Sequence, residues 1–259
     1  MTELRRTFDA DAELYDRARP GYPAALFAEL GELTRIGPGA RVLEIGPGTG
    51  QATRALVAAG AHVTAVELGP SLAGVLRDTL ADAPVEVVVS AFEDWPLPAE
   101  PYDAVVAFTS WHWLRPDVRT AKAAAALAPG GALATVSTSH VLGGTEAFFV
   151  DVQECYERWD PSTPPGERLP RAAEVADAVD EADDSALFRP AVRRRHEREV
   201  TYTTGEYLDL LRTYSGHGAL ADDLRRGLLR CVATLLDERY GGRIIKRYLH
   251  QLRVAVTRG

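Results

Sequence analysis

Three glycines at alternate positions, Gly46, Gly48 and Gly50, follow the apolar run Val42-Leu43-Glu44-Ile45 and precede a helix-forming stretch at 51–59. A strand that turns sharply into a helix through glycines brings backbone N–H groups close to a ligand with no Cβ in the way. Glu67 ends the next β-branched run, about 20 residues past Gly46, where a carboxylate can accept both hydroxyls of a ribose. Turn and carboxylate together predict a nucleotide-type cofactor, and two classes fit: nicotinamide or flavin dinucleotides, and S-adenosylmethionine. The glycines read GxGxG, not the GxGxxG of dinucleotide sites, and Glu44 stands two residues before them. Short-chain dehydrogenases also need Tyr-x-x-x-Lys. Lysine occurs only at Lys122 and Lys246, with Val118 and Gly242 four positions earlier, so that pair cannot be built.

A second chemical segment is Phe108-Thr109-Ser110-Trp111-His112-Trp113-Leu114. In open parallel sheets the ligand lies beyond the carboxyl ends of the strands, and this segment ends a predicted strand. Trp111 and Trp113 offer an aromatic wall for a substrate. His112, between them, has an imidazole able to take the proton that an OH, NH or carbon acceptor must lose. The Asn/Asp-Pro-Pro-Tyr motif of amino-group methylation on DNA bases is missing. So is a Pro-Cys nucleophile, since Cys155 follows Glu154 and Cys231 follows Arg230. His62, His140, His196 and His250 are scattered singly and read as structural or exposed. The sequence predicts no metal site: the Asp-rich stretch 177–184 lacks a calcium loop's glycine turn and reads as a solvated helix face.

The elements that must position these groups follow from periodicity. Short β-branched runs at 41–45, 62–67, 85–90, 104–108 and 132–137 alternate with helical stretches, the pattern of a parallel sheet covered on both faces. Leu72, Val75, Leu76 and Leu80 mark one helix, and 117–127 another, stopped by Pro129-Gly130-Gly131. Phe149, Val152, Tyr156 and Trp159 share a helix face within 145–159, and the proline-rich 160–170 reads as a loop. An acidic helix at 172–184, a strand at 191–202, helices at 204–214 and 222–239 and a strand at 245–256 complete the chain. In that last strand Tyr248, His250, Leu252, Val254 and Val256 share one face. The expected organisation is an N-terminal helical segment over the cofactor at 1–38, a cofactor-binding core at 39–144 and a helical cap at 145–190. The last two strands with further cap helices occupy 191–259.

The glycine motif with Glu44 resembles the E/DxGxGxG turn of class I S-adenosylmethionine-dependent methyltransferases, and most of the chain resembles the small-molecule types 11 and 25. Three other runs carry the likeness: the N-terminal segment from Phe8 through Tyr15, Arg19 and Tyr22 to Pro23, Glu93-Asp94-Trp95-Pro96-Leu97, and Leu127-Ala128-Pro129-Gly130-Gly131. The resemblance implies a Rossmann-like α/β fold with a seven-stranded, mostly parallel sheet, an antiparallel last strand and a helical cap. It implies S-adenosyl-L-methionine as cofactor, S-adenosyl-L-homocysteine as product, and a cofactor site of Tyr15, Arg19, Glu44, Gly46, Gly48, Gly50, Glu67, Leu68, Ala91, Phe92 and Phe108. Arg19 would pair with the methionine carboxylate. The aspartate that often receives the adenine amino group is replaced here by Ala91, which leaves Phe92 to stack on the ring. Tyr22 would reach the methyl group, and Tyr214-Ser215-Gly216-His217 resembles a recurrent Tyr-Ser-x-His stretch. His112, Tyr22 and His217 are therefore the expected catalytic residues, and Trp111, Trp113 and Tyr214 the expected acceptor-binding ones.

Composition bounds the rest. The 259 residues, 46% hydrophobic and 25% charged, exclude a disordered, collagen-like or coiled-coil chain. A net charge of −8 gives no general attraction to a polyanion, and no nucleic-acid partner is expected. Charges stand where a signal peptide is apolar, and no apolar stretch is long enough to span a bilayer. The expectation is a cytoplasmic protein without a membrane partner, monomeric or homodimeric, with two buried, reduced thiols. The expected activity is methyl transfer to N, O or C of a small molecule such as an aromatic or indole-bearing natural product. The alternatives are methylation of a small carboxylic acid of the trans-aconitate kind, and a regulatory S-adenosylmethionine-binding protein without catalysis.

Overall fold

In the computed structural model, residues 4–177 and 179–258 are described. The β-branched runs form β1 (Arg41–Ile45), β2 (His62–Glu67), β3 (Val85–Val89), β4 (Tyr102–Phe108), β5 (Leu127–Val141), β6 (Val192–Thr203) and β7 (Arg243–Val256). They hydrogen-bond in the order β3-β2-β1-β4-β5-β7-β6. β1 to β5 pair in parallel, and β7 runs antiparallel to both β5 and β6. This is the Rossmann-like seven-stranded sheet with an antiparallel last strand. Strand order reverses between β1 and β4, so the crevice beyond their carboxyl ends lies between the glycine turn and the segment from Thr109.

Helices α1 (Ala12–Ala18), α2 (Ala24–Thr34), α3 (Thr53–Ala58), α4 (Pro70–Thr79) and α5 (Pro116–Ala126) accompany the first five strands. Strand alternation divides the core. Val42, Ala65, Val106 and Ala134 pack with Leu26, Leu30, Leu56 and Leu76, while Leu43, Val66, Val105 and Leu133 pack with Trp111, Ala123 and Ala126. Each fully buried Val or Leu contributes about 1.5–3 kcal/mol, so neither face can be left open to water. A third apolar cluster, from Phe148 to Tyr248, joins α6 (Glu146–Asp151), α7 (Gln153–Trp159), α8 (Thr204–Arg212) and α10 (Asp222–Arg239) into a cap. The short α9 (Ser215–Ala219) lies between α8 and α10. Among the described residues no helix is long and apolar enough to cross a membrane.

Several expectations are corrected. The strand after α5 begins at Leu127 and runs through Pro129-Gly130-Gly131, with an irregular register between the Tyr102 and Ala104 pairings. The helix expected over 145–159 is divided at Val152 into α6 and α7. Residues 172–184 hold one turn of 3-10 helix, Ala172–Glu174, and no acidic helix among the described positions; Ala178 lies outside them. Asp180, Glu181 and Asp183 are not on a solvated face, although Glu174, Asp177 and Asp184 are exposed. Asp183 accepts from Arg193 and Arg253, and Glu181 pairs with Arg119; the buried guanidinium groups of Arg253 and Arg119 need these counter-charges. The two cysteines are not free thiols either: Cys155 on α7 and Cys231 on α10 form a disulfide. The packing of these helices brings their Cα atoms to 5.7 Å, inside the bonding range.

Candidate active site

The sharp turn after β1 is built from left-handed glycines. Gly46 and Gly48 have φ of 65° and 61°, and a Cβ on Gly48 would meet the Tyr15 ring at 3.3 Å. Both face a cavity of about 390 Å³ at the sheet's switch point. Gly50, with φ 94°, does not line it. A Cβ there would lie 2.6 Å from Leu76 Cδ1, so this glycine serves helix packing.

Glu67 closes one wall from the end of β2. Its Oε2 accepts from Gly48 N–H and its Oε1 from Gly69 N–H, each at 2.9 Å. Burial pushes its pKa up, and these backbone donors pull against that shift. Each oxygen keeps a second lone pair for a ligand. Leu68, Ala91, Phe92 and Phe108 line the same cavity, as do Tyr15 and Arg19. Arg19 donates to Thr213 O at 2.7 Å and lies over the Tyr15 and Tyr214 rings at 5.0 and 4.9 Å. Its Nε is buried without a hydrogen-bond partner. Glu44 sits beneath the turn, accepting from Thr53 Oγ1 at 2.7 Å, and burial raises its pKa to about 7. It borders a smaller adjoining cavity that also touches Tyr22 and His250.

The expected acceptor residues separate. His112 is exposed at the rim, lining the main cavity, and partial desolvation with Arg119 nearby holds its pKa below the usual histidine range. Trp113 lines the cavity and meets Phe8 edge-on at 5.7 Å. Trp111 turns the other way into the core, under the Arg119 guanidinium at 5.2 Å. Tyr22 is hydrogen-bonded to Thr109 Oγ1 at 2.8 Å, in the adjoining cavity. Thr109 has φ 54°, a conformation costly for a non-glycine residue and typical of sites where the surroundings impose it. His217 lines neither cavity. Its Nδ1 pairs with Leu211 O at 2.7 Å, and its ring stacks on Tyr156 behind Tyr214.

Sequence reasoning missed part of the wall. His140, read as structural or exposed, lines the main cavity with Nε2 unpartnered; burial, then the Lys246 charge, lower its pKa to about 2. Lys246 and Tyr248, from the inward face of β7, border the same space with Tyr214. The signal was the alternation of β7, because Lys246 precedes Tyr248 and His250 on one face. His250 is buried, paired through Nδ1 with Thr138 Oγ1 at 2.9 Å.

The sequence profile of the family described as a methyltransferase domain matches residues 42–131. An uncharacterized methyltransferase of Mycobacterium tuberculosis is 33% identical over 134 residues, 52% of this chain and 53% of that protein. The chain thus spans about half the length of the curated relatives it matches there. A solved protein of Anaeromyxobacter dehalogenans, provisionally named a type II methyltransferase, is 24% identical with a TM-score of 0.61, covering 91% of this chain and 97% of that one. Phosphoethanolamine N-methyltransferase 2 of Haemonchus contortus, solved with phosphomonomethylethanolamine and S-adenosylhomocysteine, is 17% identical with a TM-score of 0.54. That alignment covers 96% of this chain and 57% of that one. Residues 42–131 thus match a methyltransferase domain, and the glycine turn, Glu67 and the strand order lie within or around that match.

Proposed function

We propose that the chain transfers a methyl group from S-adenosylmethionine to N, O or C of a small molecule, with an aromatic natural product as the favoured acceptor type. The observation that carries this reading is one cavity bordered at one end by Gly46, Gly48 and Glu67 and elsewhere by His112, Trp113, Tyr214 and Lys246. Bound S-adenosylmethionine supplies an electrophilic methyl group on a sulfonium. Glu67 accepts the ribose hydroxyls, Phe92 flanks the adenine, and the Arg19 guanidinium meets the methionine carboxylate. His112 and Trp113 border the acceptor's entry at the rim, while Tyr22 holds Thr109 and so the floor. Holding donor and acceptor in line supplies much of the rate of such a displacement.

Calorimetry with S-adenosylhomocysteine tests the cofactor half of this reading, and labelled-methyl transfer across a metabolite panel tests the acceptor half. Binding with no transfer to any acceptor would favour a regulatory protein. A second acceptor class, small carboxylic acids, is favoured by the buried Lys246 cation, which has no carboxylate partner among the described residues.

A further inference from the structure

A buried ammonium needs a counter-charge or a strong acceptor. Lys246 is 3% exposed, and its Nζ donates to the Tyr214 hydroxyl at 2.9 Å, with the Tyr214 and Tyr248 rings at 5.2 and 5.1 Å. Lys246, Tyr214 and His140 border both the main cavity and a second chamber of about 560 Å³. Phe149, Val152, Leu169 and Leu211 give that chamber an apolar side, and Gln153, Asp160, Ser162, Thr163, Glu167 and Arg168 a polar one, a lining that fits a ring carrying a hydroxyl. We propose that Tyr214, held by Lys246, takes the proton of the methyl acceptor, and that the acceptor atom is a hydroxyl of phenol-like acidity in this chamber.

The inference rests on the methyltransferase reading above. Burial alone would raise the Tyr214 pKa, but the Lys246 charge and hydrogen bond, the Arg19 charge and a Tyr248 hydrogen bond outweigh it and hold Tyr214 below the usual tyrosine range. The other groups facing it do not compete for that charge. Tyr248 of β7, Tyr202 of β6, Tyr156 of α7 and Tyr207 of α8 are all pushed up, chiefly by burial, and stay neutral. His217 of α9 and His140 of β5 are lowered, chiefly by burial, and Asp160 bears on Tyr156 and His217.

In the step itself the acceptor O–H bond breaks and its proton passes to Tyr214 Oη. The freed oxygen pair forms the O–CH3 bond, the C–S pair leaves with sulfur as S-adenosylhomocysteine, and Tyr214 returns the proton to solvent. General-base transfer is most effective when the acidities match. An aliphatic alcohol is too weak an acid for a tyrosinate, a carboxylic acid is already ionised at neutral pH, and a neutral amine attacks through its lone pair.

Tyrosinate absorbance of the folded protein, titrated upward from neutral pH, tests the ionisation without any acceptor. One tyrosine is expected to titrate below the ordinary range, to vanish in Tyr214→Phe and to move upward in Lys246→Met. Should Lys246→Met fail to fold, Lys246→Arg is expected to keep the low titration. With phenol and labelled S-adenosylmethionine, Tyr214→Phe is expected to lower kcat about 10²–10⁴-fold with little change in KM. A titration unchanged by Tyr214→Phe overturns the proposal. So does Lys246-dependent methylation of benzoate that Tyr214→Phe leaves intact, which would make Lys246 a counter-ion for a carboxylate. Failure of S-adenosylhomocysteine binding in the unaltered protein would instead remove the methyltransferase reading.

Discussion

Gly48 N–H donates to Glu67 Oε2 at 2.9 Å, tying the glycine turn after β1 to the carboxylate that ends β2. The second oxygen accepts from Gly69 N–H, so one side chain fixes two loops at the cavity wall. Glu67→Gln can accept at only one of these donors. It is expected to weaken S-adenosylhomocysteine binding by at least about 1.5 kcal/mol, the worth of a charge-assisted hydrogen bond, or roughly tenfold. Calorimetry at fixed salt reads the change, and unaltered affinity would remove Glu67 from the ribose site.

Gly48 and Gly50 share a motif but not a task. Gly48→Ala puts a methyl group against Tyr15 on the cavity side, and is expected to reduce cofactor binding more than thermal stability. Gly50→Ala drives a methyl group into Leu76 at φ 94° and is expected to lower stability by about 1–3 kcal/mol, as overpacking does. Thermal melts and cofactor titrations on both variants separate the two effects.

Glu44 makes stability depend on pH in a defined direction. Its pKa rises from 4.5 to about 7 on folding. Between those values the unfolded chain loses its proton first, so stability is greatest below the lower value and falls as pH rises through the upper one. The integrated loss is up to about 3 kcal/mol. Glu44→Gln keeps an acceptor for Thr53 and is expected to remove this slope. The lowered pKa values of His140 and His250 act in the opposite sense, but they are common to both proteins and cancel in the difference. Parallel pH-dependent denaturant curves for the two proteins check it.

The Cys155–Cys231 bridge closes a loop across a sequence separation of 76 between α7 and α10. Its removal by Cys231→Ser is expected to cost about 2–4 kcal/mol through the greater freedom of the unfolded chain. Thiol titration in denaturant is expected to find no reactive cysteine before reduction and both afterwards.

The mostly parallel sheet was legible because buried strands are mainly apolar and glycine is favoured where φ turns positive. Those constraints act over a few neighbouring residues, so the strand and glycine turn of 42–50 and the strand ending at Glu67 were legible without any coordinates. The acceptor side was only partly legible. The two cysteines looked like unrelated thiols because nothing local joins positions 155 and 231. The acids of 180–183 looked like a solvated helix face because their arginine partners lie elsewhere in the chain, on α5, β6 and β7.

The sequence alone determined the strand-turn-helix cradle and the strand that ends at Glu67, since each rests on short-range backbone geometry and apolar periodicity. Tertiary structure alone decided which side chains share the cavity. Trp111 and Trp113 stand two residues apart, yet only Trp113 borders the main cavity, while Tyr214 and Lys246, 32 residues apart, meet at hydrogen-bonding distance. The reason is that β7 inserts antiparallel between β5 and β6 and turns its lysine inward under the cap, a contact that depends on the closure of the whole sheet.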